Sequence, residues 1–389
     1  MFRLHAWFGI HVFGILALLS ITGTLLVYAD QIEAIFVSSE RLSTPVSKDE
    51  RPSFGTLYDQ ARAYNPEAVV TQINRSHSDW IADRGIVWLP GGQKRFVWFG
   101  GENFAVSRET GPTDFYTVLR ELHDSFLTRT HIGGIFVTAF SILLTGFLIT
   151  GIVTYRRFWR GFFRWPSRTM GPRAYWGGVH RLTAVWSLPF LVLISITGLY
   201  YLLDRVVAMP YQDLAFERLA ERDTPLPAGF DGDALDRAIA AAQAALPGVE
   251  IAYVHIPGQA HEGIWLLGGT DQLLTNYESN RILIDPTTLE VIDMLPASEV
   301  NAAHRLATIA DELHFGTFGG PITEVLWAAF GLISGLLFVA GAMVYANRVA
   351  EPGASETATR RIWSATFLTK VGYPLFICAI IAVAVLRYT

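Results

Sequence analysis

The chain alternates between long uncharged stretches and segments of ordinary mixed polarity. The uncharged runs are Leu4 to Ala29 (26 residues), Thr130 to Tyr155 (26), Leu182 to Leu203 (22) and Val325 to Asn347 (23). A helix needs about 20 apolar residues to cross a hydrocarbon core of about 30 Å, so each run predicts a membrane span. A fifth, Ile362 to Leu386, is interrupted by Lys370, which can snorkel from near the membrane edge. The expected division is a first helix over 1–29, an insert over 30–125, a second helix over 130–155 and a loop over 156–181. A third helix over 182–203, a second insert over 204–318, a fourth helix over 321–347 and a fifth over 362–387 complete it. Arg3 and the "VYA" before Asp30 imitate a signal peptide, but the length of the first run and its internal twin, described below, argue for its retention.

Between the spans the period changes. In the first insert Phe54 to Tyr64 reads as helix, and "AVVTQIN", "GIVWL" and "RFVWFG" read as strands bounded by Gly, Pro and Asn. In the second, Asp233 to Leu246 is Ala-rich and helical, followed by strands in "EIAYVHI", "GIWLL" and "RILIDPTTLEVID" with a turn at Asp285 to Thr288. Each insert therefore reads as a small α+β module, and neither holds an obvious catalytic motif. His77, His255 and His261 lie in them without counterparts and read as surface or turn residues.

Charge orients the chain. The stretch from Tyr155 to Arg181 holds seven arginines and no acidic residue, which predicts a cytoplasmic loop, a cytoplasmic N-terminus and both inserts on the periplasmic side of a bacterial inner membrane. The net charge of −5 comes from the exported parts and gives no reason to expect nucleic acid. Cys378 is the only cysteine, which excludes internal disulfides, thiolate-held iron–sulfur clusters and covalent c-type haem.

The apolar runs also repeat. "LLSITGTLLVY" from Leu18 has a near twin in "LISITGLYYLL" from Leu193, and His5 or His180 stands fifteen residues before the shared serine. "ELH" recurs at Glu121 to His123 and Glu312 to His314, each time followed by a Gly-Gly pair at a spacing that differs by five residues. Gly151 with Tyr155 likewise matches Gly341 with Tyr345. Two units of span, insert and span are expected, packed as parallel repeats.

Seven of the ten histidines, His5, His11, His123, His131, His180, His304 and His314, lie within or beside the spans. Pairing singles out His5 with His180 and His123 with His314. Two axial nitrogens are what a six-coordinate haem iron needs, whereas zinc wants three or four ligands and no thiolate or carboxylate accompanies either pair. His11 lies about 9 Å deeper than His5 and about 120° round the helix, so the two cannot share one iron, and either can serve as the ligand from that helix. The position equivalent to His11 is Trp186, which favours His5; His131 has no twin, which favours His123. The Ser-Ile-Thr-Gly repeat sits about 22 Å from its own histidine, where small residues suit either helix packing or space for a second porphyrin.

The pieces "LHAWFGIHVFGILALLSITG", "ELHDSFLTRTHIGG", "WGGVHRLTAVWSLPFLVLISITG" and "ELHFGTFGG", with two exported inserts, resemble the PepSY-associated transmembrane family through about Asn347. That resemblance implies PepSY folds for the inserts and a likeness to inner-membrane ferric-siderophore reductases that bind two b-type haems. The function expected is a di-haem b reductase that passes electrons to a periplasmic ferric siderophore and releases its iron. No G-x-G-x-x-G fingerprint occurs, so the electrons are expected from a quinol or a cytoplasmic flavin reductase. The alternatives are a haem-free scaffold that binds a peptide or transporter, and a cytochrome b subunit of another periplasmic oxidoreductase.

Overall fold

The computed structural model describes residues 2–36, 50–211, 214, 226–258, 263–348, 357–366 and 368–388; His261 lies outside them. The chain divides into two units, one of Met1–Tyr28, Thr117–Met209 and Leu313–Thr389, the other of Ala29–Tyr116 and Pro210–Glu312.

The first unit is helical. Its long elements are α1 (Phe2–Val27), α5 (His131–Thr138), α6 (Phe140–Thr154), α7 (Pro172–Val207) and α10 (Pro321–Arg348). In a bilayer an apolar segment must satisfy its backbone internally, and a helix does so within one segment. Helices α5 and α6 meet at Ala139, and together they form an apolar stretch of 24 residues long enough to span. Thr130 starts it by accepting the Gly133 N–H at 3.0 Å.

Helix α1 packs on α10 and α6, and α7 packs on the same two, so the four spans close into a bundle. Small residues allow the close approach: a Cβ at Gly331 would collide with the Thr24 hydroxyl, and one at Gly198 would lie 2.9 Å from Ser141.

Two span boundaries differ from the pattern. Helix α7 is 36 residues long and starts at Pro172, ten residues before the uncharged run, because a proline in the first turn loses no helical hydrogen bond. The fifth apolar segment is broken into α11 (Ala358–Ser364), a π-helical turn over Leu368–Gly372 and α12 (Tyr373–Tyr388). At the break Thr366 and Thr369 exchange backbone N–H and side-chain hydroxyl bonds, which compete with the helical ladder. The stretch long and apolar enough to span is therefore Leu368–Leu386.

The second unit joins what the sequence presents as two modules. Helix α3 (Phe54–Tyr64) belongs with β1 (Val69–Asn74), β2 (Arg84–Leu89), β3 (Gln93–Trp98) and β4 (Arg108–Thr110). Helix α8 (Gly232–Ala245) belongs with β5 (Glu250–His255), β6 (Ile264–Gly269), β7 (Asn280–Ile284) and β8 (Val291–Leu295). The eight strands make one antiparallel sheet, β4-β3-β2-β1-β5-β6-β7-β8, in which Ile73 lies opposite Val254 at the β1–β5 seam. Both helices share one core with Ile73, Val87, Val97, Val254, Leu266 and Ile282.

The helices also clamp each other at their N-termini. Gly55 N–H donates to Asp236 at 2.8 Å, and Gly232 N–H donates to Asp59 at 2.9 Å, so each carboxylate meets the positive end of the other helix. A Cβ on Gly55 would collide with the Gly232 carbonyl, and one on Gly232 with the Gly55 carbonyl, which explains glycine at both positions. Three further α-helices among the described residues are α2 (Ala29–Phe36), α4 (Phe115–Ser125) and α9 (Ala302–Phe315); α4 and α9 carry His123 and His314.

Candidate functional site: two histidine pairs

Helix α1 brings His5 beside His180 of α7, with ring centres 6.3 Å apart. His123 of α4 lies beside His314 of α9, with ring centres 6.4 Å apart. Two imidazoles bound to opposite sides of one metal ion, each through a bond of about 2 Å, place their ring centres about 6 Å apart. Both pairs have that spacing. All four rings are half-buried.

Each ring is fixed by its Nδ1. The Thr22 hydroxyl donates to the Leu18 carbonyl at 2.9 Å, so its oxygen accepts Nδ1–H of His123, also at 2.9 Å. Thr197 repeats the arrangement: it donates to Leu193 at 3.1 Å and accepts from His314 at 2.9 Å. Thr150 donates to Gly146 at 2.7 Å and accepts from His5 at 2.9 Å. His180 instead donates Nδ1–H to the Leu337 carbonyl at 3.0 Å. In every case the proton belongs on Nδ1, which leaves the Nε2 lone pair for coordination, as a metal-bound histidine requires.

The surroundings make room for these rings. A Cβ on Gly23 would lie 3.0 Å from His123, and one on Gly341 would lie 3.2 Å from His180. Phe147 meets His5 edge to face at 5.4 Å, and Tyr201 meets His314 at 5.2 Å. Burial pushes the His123 imidazole down to about 4, against smaller upward pulls from Asp124 and the Leu19 backbone. Burial, with His123 as neighbour, pushes His314 down to about 3. Both are held neutral at physiological pH, the form that binds a metal.

The donor set fits a planar macrocyclic iron better than a bare ion. Among the described residues no three His, Cys, Asp or Glu side chains converge as a metal site. Each pair supplies two neutral nitrogens, the axial complement that a porphyrin leaves unfilled. Seventeen residues separate His5 from Thr22 and His180 from Thr197, so the pairs lie roughly 26 Å apart along α1 and α7, close to the thickness of a bilayer core.

The structure does not bring the other candidates into either pair. His11 turns to its own helix, with Nδ1 2.6 Å from the Trp7 carbonyl. His131 stands exposed at the first position of α5. His304 is buried, with its ring 5.9 Å from that of Tyr211. His77 and His255 lie against Tyr277 and Trp265. The hydroxyls of Thr22, Thr150 and Thr197, which hold three of the four rings, are groups that the sequence pattern does not single out. Thr22 and Thr197 do stand in the repeated Ser-Ile-Thr-Gly, but its small residues point to packing or space and not to an anchor for the other pair.

In comparison with known families, the model of the PepSY-associated TM region matches residues 2–348. No curated protein matches the sequence.

Proposed function

The chain belongs to the PepSY-associated transmembrane family, and from that premise and its paired histidines we propose an inner-membrane di-haem b reductase that delivers electrons to a periplasmic ferric siderophore. The observation that carries the reading is the presence of two histidine pairs at axial-ligand spacing, 6.3 and 6.4 Å between ring centres.

In this reading the arginine-rich stretch from Tyr155 to Arg181 is cytoplasmic, which makes His5 and His180 the inner pair and His123 and His314 the outer pair. The two pairs descend from a duplicated unit of span, insert and span. Haem b held by these histidines would supply one-electron chemistry. The chain's own residues hold and orient it: Thr150 and the Leu337 carbonyl at the inner pair, Thr22 and Thr197 at the outer. Between the levels Leu144, Leu191 and Leu337 fill the bundle and exclude water. A ferric chelate approaching the outer pair receives electrons without entering the bilayer. Reduction weakens a hard oxygen chelate's hold, because the ferrous ion is less charged and softer.

A reduced-minus-oxidised visible spectrum with a haem count tests the reading. Two non-covalent haems b per chain are expected, and anaerobic addition of a ferric hydroxamate to the dithionite-reduced protein should reoxidise it and yield ferrous iron in a trap. A colourless purified protein would favour the haem-free scaffold.

A further inference from the structure

His11 is a base inside an apolar span that neither histidine pair uses. Such a group is costly in hydrocarbon and ordinarily has a task. A carbonyl only accepts, so the 2.6 Å contact to the Trp7 carbonyl places the His11 proton on Nδ1 and leaves Nε2 as a lone-pair acceptor. The Trp7 ring lies 4.5 Å from the His11 ring and is 58% exposed, so a flat aromatic plate faces outward beside the base. Phe8 meets Trp7 edge to face at 4.9 Å.

A further aromatic group reaches the same turns of α1. The Tyr373 hydroxyl donates to the His11 carbonyl at 2.8 Å, and a Cβ on Gly14 would lie 2.9 Å from the Tyr373 ring. Trp363 lies edge-on to Tyr373 at 6.2 Å and is 42% exposed. His11 stands about 9 Å of helix rise beyond His5, on another side of α1. A water-soluble donor does not reach that depth from outside the bundle, whereas a lipid-borne ring does.

We propose that His11 and Trp7, with Tyr373 behind them, form the oxidation site for a membrane quinol that feeds the inner histidine pair. The inference rests on the di-haem reading and names its electron donor. Trp7 stacks on the quinol ring, and His11 Nε2 accepts the proton of one quinol O–H. As that bond breaks, one electron would leave for the haem that His5 and His180 would hold, and His11 would release its proton to water at the near membrane face. The second O–H then repeats the cycle once the first electron has moved on. One quinol thus yields one quinone, two protons and two electrons, which reduce two ferric chelates to the ferrous state.

The test uses the full purified chain, anaerobically, with a short-tailed benzoquinol as reductant and the visible spectrum as readout. The thermal midpoint is measured in parallel with the matching benzoquinone. In His11→Leu, kcat/KM for quinol should fall about 100-fold, the loss expected for a missing general base, with haem content and dithionite reduction unchanged. Trp7→Ala should mainly raise KM. The quinone should raise the wild-type thermal midpoint and fail to raise that of His11→Leu; His11→Gln, which keeps a polar group of similar size, serves if the leucine variant does not fold. Wild-type quinol oxidation by these His11 variants, or loss of haem from them, overturns the assignment. If the purified chain proves colourless, the di-haem reading fails and the thermal shift judges the site alone: a His11-dependent shift sustains quinone binding, and none overturns it.

Discussion

His123 and His314, the outer pair in the proposed orientation, both donate Nδ1–H to threonine side chains, Thr22 and Thr197, whereas at the proposed inner pair, His5 and His180, Thr150 takes one ring and the Leu337 backbone carbonyl takes the other. The spacing of the rings is nearly the same, so a common geometry is reached through different anchors. A side-chain anchor can be removed by one substitution, and a backbone anchor cannot. The outer site is therefore exposed to mutation at both ends and the inner site at one.

Removing a ring should have the largest effect. His314→Ala and His123→Ala should each cut the haem count from two to one, and His5→Ala and His180→Ala should remove the other haem, as told apart by spectra and redox titration. If all four variants lost the same haem, the separation into two sites would fail.

Removing an anchor comes next. Hydrogen-bond partners of a metal-bound histidine are typically worth 10–100-fold in affinity. Thr22→Val and Thr197→Val should each weaken the outer haem by about that factor, and Thr150→Val should weaken only the inner. Haem retention during dilution measures this, and equal loss from both sites in any one variant would break the comparison.

The pH response should be smaller. Burial lowers the outer imidazoles from an ordinary 6.5 to about 4 and about 3, so the unfolded chain takes up protons before the folded chain does. Their contribution to stability is complete above 6.5 and is lost progressively as pH falls toward those folded values. Thermal unfolding of the haem-stripped protein should lose stability over that window, and the slope should flatten in His314→Leu. An unchanged slope would mean that the outer rings do not carry the effect.

The smallest effects belong to the glycines. A Cβ at Gly23 would press on His123 at 3.0 Å, while one at Gly151 would meet His5 at an ordinary 3.7 Å. Gly23→Ala should shift the outer haem's spectrum or affinity modestly, and Gly151→Ala should leave the inner haem as it is. Equal sensitivity at the two positions would contradict the packing described.

Much of the architecture is legible in the order of the residues. The uncharged runs announce the helices, since apolar length is a local property and a bilayer accepts few alternatives. Phe54–Tyr64 is readable to the residue, with Ser53 as its cap. The pairing of His5 with His180 and His123 with His314 is visible as repetition. The break at Leu368–Gly372 and the early start of α7 are less visible, because short polar contacts and a proline shift a boundary without changing the apolar pattern.

Apolar length, repetition and alternation thus suffice to mark the candidate spans, the histidines that correspond and the strands that lie between the spans. They do not reveal that Thr22 holds His123, 101 residues away, or that Thr197 holds His314, 117 residues away. Nor do they reveal that β1 pairs with β5, or that Asp59 and Asp236 cross over to each other's helix. Those contacts exist only in the folded chain. Hydrophobic periodicity is set by neighbours along the chain, but a hydrogen bond between distant groups depends on where two separately formed elements come to rest, and no local pattern records that.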